Sequence, residues 1–104
     1  MKPTQREAAR RQLEQLLASN PLTEGMYVRA RGDHLIIGRH EAFGPEGEVE
    51  ANDRLRLSAR NASSWGLSVR RHTGRWERTP FTGSLEEIRD VISTLMQHIV
   101  APYS

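Results

Sequence analysis

The chain has 104 residues, with fifteen basic and thirteen acidic side chains and a net charge of +2; fourteen of the basic residues are arginine, and Lys2 is the one lysine. It has no cysteine, which excludes a disulfide framework and a thiolate metal site. A charged fraction of 27% suits one folded domain, and no run approaches the roughly 18 apolar residues of a membrane-spanning helix. The first residues, MKPTQREAARRQ, lack the apolar core of a secretory signal, so a cytoplasmic location is expected.

The spacing predicts a helix over residues 4–19. Thr4 and Glu7 form a T-x-x-E capping box, with Pro3 just outside. Ala9, Leu13, Leu16 and Leu17 share one face, and Asn20-Pro21 stops the run. An antiparallel sheet is predicted over residues 26–81. In MYVRAR, Met26, Val28 and Ala30 alternate with Tyr27, Arg29 and Arg31, the period of a half-buried strand. Gly32-Asp33 is a two-residue hairpin turn into HLIIGRH. The apolar triplet Leu35-Ile36-Ile37 buries both faces, which places that strand inside the sheet.

Residues 41–53, EAFGPEGEVEAND, hold five carboxylates and no base. They are expected to form an acidic loop, with a short extended piece at Glu48–Glu50. The next thirty residues, 54–83, carry seven arginines against Glu77. In RLRLSAR the alternation points Leu55, Leu57 and Ala59 inward and Arg54, Arg56, Ser58 and Arg60 outward. Asn61 to Ser64 is a polar turn. WGLSVRR then points Trp65, Leu67 and Val69 inward and Ser68 and Arg70 outward. His72-Thr73-Gly74 turns the chain into RWERTPF, where Pro80 confines that strand to an edge or a strand end.

Ser84 and Glu87 form a second capping box, opening a helix over 84–100 that Pro102 ends. Its apolar positions cover about 180° of the helix wheel, wider than the roughly 100° stripe needed for one surface. Either the first helix covers the excess or a second copy of the chain does. In the latter case Met96, Ile99 and Val100 are the self-association residues.

The expected fold is α+β: a single domain with an antiparallel meander of four or five strands, flanked by an N-terminal helix and a longer C-terminal helix (α-β-β-β-β-β-α). Helices on one face leave the other face to water. Arg29, Arg31, Arg54, Arg56, Arg60, Arg70 and Arg71 then form a basic patch, with Tyr27, Trp65 and Trp76 nearby. Such a patch fits nucleic acid, because arginine neutralises phosphate and aromatic rings stack bases. It also fits an acidic protein partner. As a plain solvated surface, the arginine stems would cover apolar sheet while the heads stay in water; alternatively the acidic segment 41–53 folds over the patch and neutralises it.

No catalytic arrangement is present, and the chain reads as a binding module with no cofactor. His34 and His40 are six residues apart on a strand, about 20 Å, too far to share a metal. Glu86 and Glu87 suit the positive end of a helix. Ser63, Ser64 and Ser68 lack the strand–turn–helix elbow of a serine nucleophile. Gly44-Pro45-Glu46-Gly47 has the glycines of a phosphate loop, but its neighbouring glutamates repel phosphate. Arg31-Gly32-Asp33 spells an adhesion tripeptide already used as a turn, and Asn61-Ala62-Ser63 is a glycosylation sequon with no secretory signal.

Overall fold

The computed structural model describes residues 2–61 and 63–100. Helix α1 (Pro3–Ala18) leads into strands β1 (Tyr27–Arg31), β2 (His34–Phe43), β3 (Glu48–Ala59), β4 (Trp65–Arg70) and β5 (Trp76–Gly83). Helix α2 (Leu85–Leu95) and a single turn, α3 (Gln97–Val100), come after them. The strands form one antiparallel sheet in the order β1-β2-β3-β4-β5. Each strand pairs with its chain neighbour, as expected of a meander.

The helices lie on one face. Leu13 and Leu17 of α1 and Leu85, Ile88 and Ile92 of α2 pack with Val28, Leu35, Ile37, Leu55, Leu57, Trp65 and Leu67 in a single core. Trp65 is 3% exposed, so it is a core residue and no platform for a ligand. Two polar ties hold the helices together: Gln12 donates to Glu86 at 2.6 Å, and Asn20 donates to Ser93 Oγ at 3.2 Å.

Helix α1 starts one residue earlier than its spacing predicts. Pro3 occupies the first turn, where its missing N–H costs nothing, and the Lys2 backbone N–H donates to Gln5 Oε1 at 3.4 Å. The second capping box is as predicted: the Glu87 N–H donates to Ser84 Oγ, and the Ser84 N–H donates to Glu87 Oε1, both at 3.2 Å. The last helix breaks at Met96, whose backbone leaves the helical region (φ −115°, ψ 21°). Pro102, expected to end it, lies outside the described residues, as does Ala62 of the polar turn.

Two further features depart from simple alternation. The acidic segment is a hairpin and not an irregular loop: β2 runs on to residue 43, Gly44 and Gly47 turn with positive φ, and β3 starts at Glu48. The result is a long two-stranded arm. There is also a register shift at Ile37/Gly38, where Ile37 pairs with Leu55 but Gly38 pairs with Asp53. Arg54 is the extra residue. A bulge of this kind turns two successive side chains toward the same side. Arg54 therefore joins Leu55 on the helix side.

That bulge creates a buried polar junction. Arg54 is 3% exposed, pairs with Glu41, and donates from Nη1 to the Ile99 carbonyl at 2.8 Å. Arg39, two strand positions from Ile37, also faces the helices. It donates to the carbonyls of Val100 (2.6 Å), Glu24 (3.1 Å) and Leu22. The two guanidinium groups thus satisfy carbonyls at the end of α3 and in the loop after α1, groups that would otherwise be left without partners.

Candidate functional site

The cross-strand register defines the open face directly, since residues paired across antiparallel strands share a face. One row runs Arg29, Ile36, Arg56, Ser68, Arg78; the next runs Arg31, His34, Ser58, Gly66, Thr82. Toward the arm lie Tyr27, Gly38 and Asp53, and across the sheet in the same direction the pair Arg70 and Trp76. Arg60 continues the face at the end of β3, its stem near Gly66: a Cβ built on Gly66 would lie 3.7 Å from Arg60 Cδ.

Of the seven arginines assigned to the patch, five share this surface: Arg29, Arg31, Arg56, Arg60 and Arg70. Arg54 does not, because the bulge turns it inward. Arg71 does not either. It comes directly after β4 and pairs with Glu77, which sits opposite Val69 on the helix side of the sheet. Arg78 belongs to the face and is missing from the sequence-based set, although Trp76, Arg78 and Pro80 share parity in RWERTPF and the alternation could have found it.

The arginine stems have structural work as well. Ile36 lies on this face yet is only 5% exposed, paired with Arg29 on one side and Arg56 on the other. Their stems flank it; the Arg29 guanidinium stays at the surface, whereas Arg56 Nε is buried with no hydrogen-bond partner among the described residues. The Arg56 guanidinium lies 5.0 Å from the centroid of the Trp76 ring, a cation–π contact spanning two strands.

Asp53 is the one carboxylate that the strands place on this face among the described residues. Arg29 Nη2 donates to Asp53 Oδ2, the Tyr27 hydroxyl donates to Oδ1, and Arg70 Nη1 stands 3.9 Å away. Burial pushes the Asp53 carboxyl up, but the hydrogen bonds from Arg29 and Tyr27 and the charges of Arg29 and Arg70 outweigh it, leaving the carboxyl below its ordinary value. Burial, and after it the bond to Asp53, pushes the Tyr27 phenol well up. Gly38 makes room for this cluster: a Cβ there would stand 2.2 Å from the Asn52 carbonyl and 2.3 Å from the Tyr27 oxygen. Any larger residue displaces both.

No protein-family model matches the chain, and no curated protein or solved structure matches it significantly. What the face can do is therefore a matter of its chemistry alone.

Arg31, Arg60 and Arg78 have no hydrogen bond or ion pair among the described residues, so their forks are free for a ligand. The acidic arm does not take them up. Glu41 pairs with Arg54 on the helix side, and Glu48 and Glu50 are exposed on the arm. Among the described residues, the single group of histidine with a potential nucleophile is His34 with Ser58, Nδ1 to Oγ at 2.8 Å. They are direct cross-strand partners, and no third side chain orients the ring among the described residues. No cluster of three metal-ligating side chains occurs among the described residues, and no helix is long and apolar enough to cross a membrane.

The broad apolar arc of the last helix is covered from within the chain. Met96 is 7% exposed and Val100 is fully buried, both in the main core, with Ile99 packed against it. These three residues do not form a free surface. Helix α1 and the sheet take up the arc, leaving Leu95 as its exposed large apolar residue.

Proposed function

We propose that the protein is a non-catalytic nucleic-acid-binding module that holds single strands on the open face of its sheet. One observation carries the reading: among the described residues, six arginines share this face with a single carboxylate, Asp53. The face is about five strands wide, roughly 20 Å at ordinary strand spacing. A shallow surface of that kind suits a flexible single strand. Duplex readout asks for an element that enters a groove, and the described part of this face carries no helix. Arg29, Arg31, Arg56, Arg60, Arg70 and Arg78 are the phosphate contacts. Trp76, with Arg56 against its ring, is the stacking platform. A cytoplasmic location belongs to the same reading, and the absence of cysteine suits it.

Fluorescence anisotropy with labelled single-stranded and duplex DNA and RNA, at low and near-physiological salt, tests it. Single strands are expected to bind tighter than duplex. The affinity is expected to fall with salt at a log–log slope of about −3 or steeper, as four or more phosphate contacts on a single strand require. Arg56→Glu with Arg70→Glu is expected to remove binding while the unfolding midpoint stays within a few degrees. Equal binding by that double variant overturns the reading.

A further inference from the structure

The open face is not uniform. At the end away from the acidic arm, Ser58, Arg60, Gly66, Ser68, Arg78 and Thr82 surround a shallow groove of about 450 Å³. Its floor is low because Gly66 has no side chain. No carboxylate lines it among the described residues. Its two guanidinium groups, Arg60 and Arg78, are unpaired among the described residues. Ser68 is only 4% exposed, yet its hydroxyl has no hydrogen-bond partner among the described residues. Thr79, by contrast, is committed: its hydroxyl donates to the Leu67 carbonyl and accepts from the Phe81 N–H.

We infer that this groove is a seat for a phosphate monoester, the phosphorylated end of the bound strand. The charge count selects the ligand. Two unpaired guanidinium groups facing no carboxylate match the near-double charge of a monoester at neutral pH; a backbone diester or a carboxylate carries one charge. The three terminal oxygens also give acceptors for two forked guanidinium groups and a serine hydroxyl together. The inference deepens the single-strand reading by naming the end that is held. It rests on that reading only for what carries the phosphate.

The test compares one oligonucleotide with a 5′-phosphate against the same strand with a 5′-hydroxyl, alongside phenyl phosphate monitored by amide NMR. The phosphorylated strand is expected to bind at least about fivefold tighter, as charge-assisted hydrogen bonds of this kind imply. Phenyl phosphate is expected to shift the amides of Gly66 and Ser68. Arg60→Gln with Arg78→Gln is expected to abolish both effects. Gly66→Ala keeps every charge and raises the floor; a Cβ there meets Arg60 Cδ at 3.7 Å, an ordinary contact that the sheet accepts. It too is expected to erase the preference while general strand binding persists.

Equal affinity for the two strands, or amide shifts confined to other parts of the sheet, overturns the seat and leaves the open-face reading standing. Phenyl phosphate shifts at Gly66 and Ser68 with no binding of either strand support the seat and overturn the open-face reading.

Discussion

Asp53 sets the charge balance of the open face. It holds Arg29 and Tyr27 and lies near Arg70, so one carboxylate tempers two of the arginines that would meet a phosphate chain. Its carboxyl is held below the ordinary value. The stability it contributes is then fully present above the unfolded carboxyl value, about 3.9, and is lost as pH falls through the lower folded value. The thermal midpoint of Asp53→Asn is expected to lie below wild type at neutral pH and to converge on it as pH falls through the lowered folded value. A gap that stays constant with pH would mean that packing, not charge, accounts for the loss. The same variant is expected to bind a polyanion about threefold more tightly at low salt, because it removes the one negative charge on the face among the described residues. The residue is hard to find from sequence. It sits at the end of an acidic run and reads as part of that run, whereas the bulge between Ile37 and Gly38 assigns it to the other group of charges.

At the scale of elements, the acidic arm is a separate structure from the arginine face. Paired strands carry Glu48 and Glu50 out beyond the sheet, and Glu41 is spent on Arg54. The arm thus acts on the face only through distance, and charges farther apart than about 8 Å are largely screened at physiological salt. Converting Glu46, Glu48 and Glu50 to glutamine is expected to change polyanion affinity by less than about twofold at 0.15 M salt, with a larger gain at low salt. A gain of tenfold or more at physiological salt, read by anisotropy, would mean that the arm folds over the arginines. The sequence pattern indicates a loop here because two glycines, a proline and a run of like charges are all turn or coil signals. Pairing along the arm overrides them, since backbone hydrogen bonding across β2 and β3 needs no particular side chain.

The whole molecule measures 44 × 28 × 27 Å, with both helices on one side and the arginines on the other. Its large exposed apolar residues among the described ones are Val49 on the arm and Leu95 on α2, one on each of two different elements. The chain is expected to sediment as a monomer at micromolar concentration; a dimer under those conditions would place an interface on surface that this fold leaves polar. Residues a few positions apart determined the order of helices and strands, the second capping box, the edge or strand-end place of Pro80 and the existence of an arginine side; the extent of β2 and β3 through the acidic arm and the break at Met96 were not legible that way. Where that alternation fails was decided only by tertiary structure. A one-residue bulge turned Arg54 into a buried tie to the end of α3, and the strand end sent Arg71 to Glu77. A β-strand's facing alternates at every residue, so a single inserted position reverses the facing of every side chain beyond it, and its location depends on the partner strand rather than on the strand's own sequence.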